Sequence, residues 1–416
     1  MKLLLISYFF PPHGGGGVMR AVETVRLLSR RGWEITVLAG PEDGWWVRDD
    51  SLLERIPDPV KVIRPGQSGL ASMFGALRGG GGRNEGGVRL LKRLAAWLPV
   101  VDGYSGWSRA AVRAALELDW RPDWIVSSSP PESSHLAAKK LSAALGCRWA
   151  ADFRDPWTEA IYRRQPTALH RMYQLARERR VIANAGLVIS TTGETSKNFS
   201  GRYPELPREK FVCVPNGYDP DEFASFGGER PRRLPLRLIH AGNLSLDRDI
   251  SPLLEAIARV NRDGVLCRLE LAGQVAAGTI DRLRNLRLEG AVTISGYVPR
   301  PKLLERLAAS HAGVIVEAFR PGAELVVPGK LYDYFGASLP TLALAPPGAL
   351  SNILERTGGG VAATEPDPAR LENLLRQMIE NVKRGGMALR PPDPSRIEQY
   401  QRPELVARLA ELLEQC

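Results

Sequence analysis

The sequence predicts an α/β protein of two doubly wound units, and three observations carry that prediction. Short apolar runs rich in β-branched residues alternate with segments of helical periodicity along the chain, the pattern of parallel sheets built from βαβ units. The alternation breaks at the polar, turn-rich run Phe226–Arg233 and then restarts. The chain has 416 residues, and a single core stops growing at roughly 250–300.

Leu3–Tyr8 reads as the first strand. It leads through Pro11, Pro12, His13 and the four glycines Gly14 to Gly17 into a helix over Val18–Arg31, with Val18, Ala21, Val22, Val25 and Leu28 on one face. Strands are expected at Glu34–Leu38, Val60–Ile63, Trp124–Ser127, Trp149–Asp152, Leu187–Ser190 and Phe211–Val214. The first domain is therefore assigned to 1–225 and the linker to 226–234. In the second domain, 235–390, strands are expected at Leu236–Ala241, Arg268–Ala272, Val292–Ser295, Gly313–Val316 and Thr341–Leu344. Helices Pro252–Val260, Lys302–Ala309 and Lys330–Phe335 fall between them. Residues 391–416 are expected to return to the first domain through Glu404–Glu414, whose stripe is Leu405, Val406, Leu409, Leu412 and Leu413. Two such units predict a ligand in the cleft between them, outside the carboxyl ends of the strands.

Composition removes several classes. The chain is 44% hydrophobic and 25% charged with mean hydropathy −0.18, and no window holds the ~18 consecutive apolar residues of a spanning helix. Cys147, Cys213, Cys267 and Cys416 are scattered, which argues against a disulfide framework or structural zinc and fits a reducing cytoplasm. Met1, Lys2 and Leu3–Phe10 imitate a secretion signal, but the run is short and meets prolines and glycines, so a buried strand is expected. Lys and Arg number 56 against 46 Asp and Glu, a net +10. Residues 61–180 hold 20 basic and 10 acidic residues, so that stretch carries the whole excess. Such a field favours anionic partners. Nucleic acid is not expected among them, since there is no zinc finger, RNP motif or basic helix with heptads. Residues 66–108 depart from the alternation: Gly79–Gly82, Gly86 and Gly87 make a flexible loop before Val88–Leu98. There Val88, Leu91, Leu94, Ala95 and Leu98 face away from Arg89, Lys92 and Arg93. That segment is either an interfacial helix on anionic lipid or a helix packed on the first domain.

The glycine run carries the strongest chemical signal. Glycines let backbone N–H groups approach a ligand, and the helix N-terminus behind them favours an anion. A dinucleotide fingerprint fails, because the third glycine would fall on Met19 or Arg20, and no Walker lysine follows. Further motifs are Asp152-Phe153-Arg154-Asp155-Pro156-Trp157, Pro215-Asn216-Gly217-Tyr218-Asp219, His240-Ala241-Gly242-Asn243-Leu244, Gly296-Tyr297-Val298-Pro299 and Pro328-Gly329-Lys330-Leu331-Tyr332-Asp333-Tyr334. In that order, after Tyr8–Gly17, they resemble glycosyltransferase family 4, and most of all its bacterial branch with amino-sugar transferases of surface-polysaccharide assembly.

The resemblance implies a GT-B fold, two Rossmann-like domains facing across a cleft. It also implies a nucleotide diphosphate sugar as donor, a UDP-sugar, retention at the anomeric carbon, and neither metal nor cofactor. Gly15, Gly16 and Gly17 inherit contact with the donor phosphates. Gly242 is kept from the family's Gly-Arg pair, Asn243 replaces its arginine, and Arg248 takes the place of its lysine, facing the diphosphate. Asp333 falls on the second acid of the Glu-x7-Glu motif, the ribose ligand; the first falls on Leu325, with Glu324 one residue away. Lys330 would contact phosphate or sugar, and Gly273, Tyr297 and Val298 the base, mainly through the backbone. Arg248 could instead be a solvated charge, and Lys330 with Asp333 a surface pair.

The acid–base position is open. Asp155 could orient or deprotonate the acceptor hydroxyl and Arg154 could bind phosphate, or the two could form a buried structural pair. His135 opens a helix that faces the cleft or caps it structurally. Asn216 and Asp219 would position the domains. Asp219-Pro220-Asp221 and Asp247-Arg248-Asp249 are Asp-x-Asp triplets, but the double α/β layout argues against metal binding. The expected activity is sugar transfer to an acceptor hydroxyl, a lipid-linked glycan at the inner membrane face. The alternatives are a nucleotide-sugar epimerase or hydrolase and a non-catalytic nucleotide-binding module.

Overall fold

The computed structural model describes residues 1–43, 47–66, 101–161, 165–226, 230–245 and 247–415. The chain divides into two compact units: Met1–Val214 with Val406–Cys416, and Pro215–Leu405. The glycine-rich loop and the 88–98 helix anticipated above lie outside the described residues.

Unit one is a seven-stranded sheet in the order β3-β2-β1-β4-β5-β6-β7, with every described pairing parallel. Its strands are β1 (Lys2–Ile6), β2 (Glu34–Leu38), β3 (Lys61–Ile63), β4 (Trp124–Ser129), β5 (Arg148–Phe153), β6 (Leu187–Ser190) and β7 (Phe211–Cys213). Leu3 to Ile6 of β1 are all buried because helices cover both faces, so that stretch is an unbroken apolar run. The helices are α1 (Gly16–Arg30), α2 (Ser105–Leu116), α3 (Ser133–Leu145), α4 (Ala168–Asn184) and α5 (Gly193–Arg202).

Unit two repeats the design with six strands in the order β10-β9-β8-β11-β12-β13. These are β8 (Leu236–Ala241), β9 (Cys267–Ala272), β10 (Val292–Ile294), β11 (Ala312–Val316), β12 (Thr341–Leu344) and β13 (Gly360–Ala363). Its helices include α6 (Ser251–Val260), α7 (Ala277–Asn285), α8 (Arg300–Ala308), α9 (Lys330–Gly336), α10 (Ala349–Thr357) and α11 (Pro368–Lys383). Strand alternation fills two cores: Leu236 and Leu238 enter one, Ile239 and Ala241 the other.

The division falls before the 226–234 segment. Tyr218 N–H donates to Tyr400 O at 3.1 Å, and Phe223 lies so close to Gly336 that a Cβ there would sit 2.5 Å from its ring. Apolar anchors therefore bind the chain after Val214 to unit two, whatever breakers follow. At the other end, residues 391–405 also stay with unit two, and α12 (Arg402–Gln415) brings the chain into unit one from Val406. Leu409 joins Leu5, Val126 and Ile189 around a small cavity, and Ala410 and Leu413 are fully buried.

Candidate functional site

Both sheets reverse their strand order beside their first strand, between β1 and β4 and between β8 and β11. Open α/β sheets bind ligands outside the carboxyl ends of strands at such points. The sequence places its chemistry there in each unit.

In unit one, β1 runs into the glycine loop. Gly14 N–H donates to Val47 O (2.9 Å), Asp49 N–H to Pro12 O (2.8 Å), and His13 Nε2 bonds Pro41 O (2.8 Å), which pins the loop's first half. Gly15 has φ 101°, a left-handed conformation that glycine adopts without strain, and it caps α1 with no side chain on the free N–H groups. A Cβ on Gly15 or Gly16 would meet nothing within 4 Å, whereas one on Gly17 would lie 2.6 Å from Arg154 Nη1. Arg154 donates from Nε to Ser129 O (3.0 Å) and through its two other nitrogens to Gly17 O and Pro130 O. Its guanidinium thus straps the glycine loop to the ends of β4 and β5.

Asp152 pairs with Arg20 of α1, at 2.7 and 2.9 Å, and accepts Ser128 Oγ at 3.3 Å. The partner of this buried acid is Arg20, not Arg154. Asp155 sits half-buried on the turn after β5. His135 does open α3, but it faces the core and not a cleft. It is fully buried, bonds Ser127 Oγ through Nδ1 at 2.7 Å, and packs on Phe153 with ring centroids 4.3 Å apart. Its Nε2 is buried without a hydrogen-bond partner. Burial pushes its pKa down to about 3, so it is a neutral core residue and no acid–base group as placed.

In unit two, Gly242 ends β8 with φ 110°, and its N–H donates to Ala272 O at 2.7 Å. A Cβ on Gly273 would lie 2.3 Å from Gly242 O, so the two loops touch only because both residues are glycine. Asn243 Oδ1 accepts Gln274 N–H at 3.0 Å and staples the same loops. Arg248 forms a two-point ion pair with Glu317, 3.2 Å at each contact, and Glu317 is buried just past β11. Lys330, from the first turn of α9, reaches over β8: its Nζ is 2.8 Å from His240 Nε2 and 3.6 Å from where a Gly242 Cβ would stand. His240 Nδ1 meets Val314 O at 3.1 Å, which makes that nitrogen the donor and Nε2 the acceptor for the ammonium. Burial, then the charge of Arg248, holds Lys330 below the ordinary lysine range, against the pull of Glu317 and Asp333. Two cations, one of them easily deprotonated, therefore share the switch point of this unit.

The remaining expected residues are placed as follows. Asp333 Oδ1 pairs with Arg300 Nη1 at 2.9 Å, and Arg300 also holds Glu222 at 2.7 Å. Tyr297 is 70% exposed, while the Val298 side chain is buried and leaves only its backbone for a ligand. Glu324 accepts the Gly322 N–H at 2.8 Å and Leu325 is buried. Neither Asp-x-Asp triplet is an open pair: Asp219 accepts the Asp221 N–H (3.2 Å), Asp249 the Ser251 N–H (2.9 Å), and Asp247 pairs with Arg320 (3.1 Å). Glu317, His240, Arg300 and Arg20 were not foreseen in these roles. Glu317 had a signal, a charge directly after the apolar run Gly313–Val316.

Residues 15–217 match the family model described as "Glycosyl transferase 4-like domain". Over that stretch, just under half of its length, the chain is similar to glycosyltransferase family 4. Its fold is GT-B, shared across its length with solved structures of low identity. Anabaena Alr3699/HepE in complex with UDP and glucose is 15% identical with TM-score 0.68, and all of both chains is covered. Sucrose-phosphate synthase (tll1590) from Thermosynechococcus elongatus is 16% identical with TM-score 0.69, covering 100% of this chain and 98% of that one. The lipopolysaccharide outer core galactosyltransferase WaaB, in its apo form, is 13% identical with TM-score 0.59, covering 100% and 99%. A search of curated proteins returns no match. Among the described residues, no helix is long and apolar enough to cross a membrane.

Proposed function

We propose that the chain transfers a sugar, a hexose or N-acetylhexosamine, from a UDP-sugar to an acceptor hydroxyl with retention at the anomeric carbon. Unit two takes the donor and unit one the acceptor, a lipid-linked glycan of bacterial polysaccharide assembly. The observation that carries this is the placement of Arg248 and Lys330 together at the switch point of unit two, beside the touching glycines Gly242 and Gly273. In the reaction the bond from the anomeric carbon to the β-phosphate oxygen breaks and one to the acceptor oxygen forms. The acceptor's proton passes to the departing diphosphate, so no strong side-chain base is required. Negative charge grows on that diphosphate, and cations fixed in a partly dry site stabilise it far better than cations in water. An arriving diphosphate also restores protonation of Lys330, whose charge the apo site disfavours.

Supporting context comes from the family description and from the similar structure solved with UDP-glucose. Arg154 stands in this scheme as a positioning residue of the glycine loop, and Asp155 as the acceptor-side carboxylate. Asp333 would meet the ribose while bonded to Arg300. Charge neutralisation by arginine and lysine needs no divalent metal. The chain acts on the cytoplasmic side, at the membrane surface.

The test is nucleoside diphosphate release from a panel of nucleotide sugars, with and without a short lipid-linked acceptor, in EDTA. Acceptor-dependent release that EDTA leaves unchanged is the expected result. Release without acceptor would instead mark a hydrolase, and conversion of the donor into another nucleotide sugar without release an epimerase. Nucleotide binding with neither release nor conversion of any donor would mark a binding module.

A further inference from the structure

His240 stands next to last in β8 and is fully buried, in a strand whose other buried residues are Leu236, Leu238, Ile239 and Ala241. An imidazole in such a run costs stability unless both of its nitrogens are satisfied. Both are. Nδ1 meets Val314 O at 3.1 Å, and since a carbonyl only accepts, Nδ1 carries the proton. Nε2 is then a lone pair, 2.8 Å from Lys330 Nζ.

The backbone sets that meeting. Gly313 of β11 has no side chain, and a Cβ there would lie 2.5 Å from the Tyr334 ring, so α9 packs directly on the sheet. Tyr334 Oη accepts the Ala241 N–H at 3.0 Å and donates to Val314 O at 3.1 Å, which fixes α9 across β8 and β11. Lys330 lies one turn earlier on the same helix face, and its Nζ arrives over His240. Among the described residues His240 is the hydrogen-bond partner of that ammonium, which has three N–H groups, so two are left over. A carboxylate in place of the imidazole would cancel the charge of Lys330 and repel a diphosphate. A neutral acceptor orients the ammonium and leaves its charge whole. His240 stays neutral because burial, then the charge of Lys330, holds its pKa well below the ordinary histidine range.

Resting on the reading that unit two grips the donor's diphosphate, we propose that His240 is a positioning residue of that grip. It aims the Lys330 ammonium, leaves two N–H groups for phosphate oxygens, and sets how far up the pH scale the ammonium persists. Lys330 is faced by His240 from β8, Arg248 from the loop after it, Glu317 from the end of β11 and Asp333 from α9 itself. Burial, then Arg248, holds Lys330 below the ordinary lysine range against the pull of the two acids. The unliganded site therefore loses this proton at a pH where an ordinary lysine keeps it, and a diphosphate must bring it back. Affinity falls as pH rises from 7 to 9, by at most about tenfold per unit for one linked proton. A hydrogen bond to the ammonium favours the charged form, so without His240 the fall begins at lower pH.

Calorimetric titration of UDP in EDTA, from pH 6.5 to pH 9, into wild type, His240→Gln, His240→Asn and Lys330→Met tests this. Above pH 7 the phosphates of UDP are already ionised, so the course belongs to the protein. His240→Gln sets an amide oxygen near the place of Nε2 and should keep the wild-type affinity within about threefold. His240→Asn can still donate to Val314 O but stops short of Lys330. It should bind about tenfold more weakly at pH 7.5, with its decline displaced to lower pH. Lys330→Met should lose the decline, and adding His240→Asn to it should change nothing further. Equal affinity and pH course in wild type and His240→Asn overturns the proposal and leaves the donor reading standing, as does a uniform weakening that keeps the wild-type course. Should His240→Asn not fold, a decline that persists in Lys330→Met, or is absent from wild type, overturns the proposal as well. Failure of wild type to bind UDP, GDP or ADP overturns the donor reading itself.

Discussion

Gly16 and Gly17 are neighbours with opposite surroundings, and that contrast separates ligand contact from packing. Gly16→Ala meets open space and no strained φ, so its stability should stay within about 0.5 kcal/mol of wild type. A loss of transferase activity in that variant would then report backbone approach to a ligand. Gly17→Ala drives a methyl against the strapped Arg154, and should cost about 1–3 kcal/mol in denaturant unfolding. His135 supplies a pH prediction. Its folded pKa is about 3, against 6.5 when unfolded, so below 6.5 the unfolded chain binds the extra proton. Stability is then lost as pH falls from 6.5 toward 3, by about 1.4 kcal/mol per unit at most. His135→Gln should reduce the fall in melting temperature between pH 7 and pH 5, with His240 and His311, whose pKa values burial also lowers, keeping part of it; an unchanged slope would place the titration elsewhere. Gly15 to Gly17, Arg248 and Lys330 stood out in the sequence as a glycine run and as cations, and the structure sets them beside the ends of β1 and β8. The sequence left His135 ambiguous, since a histidine in a first helical turn reads alike whether it faces a cleft or a core. Only the sheet order shows that Ser127 and Phe153 enclose it.

At the scale of elements, the twelve anticipated strands all form, because buried parallel strands are written as apolar runs with little else in them. The thirteenth, β13, was not anticipated: it starts at Gly360, and glycine is depleted in strands. Yet Gly360 is required there, since a Cβ would lie 2.0 Å from Thr341 O across the pairing with β12. The unit boundary was misjudged for a related reason. Breakers mark loops, whereas membership is decided by anchors such as Tyr218 and Phe223. Helix α12 shows the opposite case, a stripe read nearly correctly: Leu405, Val406, Leu409 and Leu413 are buried, and Leu412 is half-buried. Leu413→Ala should therefore cost 2–5 kcal/mol of unit-one stability by roughly the usual core truncation, and Leu412→Ala distinctly less. Urea melts of the two variants check the order.

Across the whole molecule the same device occurs twice: a glycine loop leaves the strand beside the order reversal, in unit one after β1 and in unit two after β8. In unit one that loop presents uncapped N–H groups; in unit two it clears space for Arg248 and Lys330. The net +10 charge suits a protein that handles phosphorylated substrates. Removing Arg248 alone leaves Glu317 buried with less compensation, which carries its own cost. The decisive comparison therefore includes Arg248→Gln with Glu317→Gln, whose two amides can replace the ion pair. Calorimetric titration of UDP in EDTA, with GDP and ADP alongside, into wild type, Arg248→Ala and the double glutamine variant tests the grip on the donor directly. The account predicts UDP binding by the wild type and an affinity lower by about tenfold or more in both variants, since charged hydrogen bonds to phosphate are the strong ones, with the double variant melting like wild type. Equal affinity in all three, or no nucleoside diphosphate bound by the wild type, would contradict it.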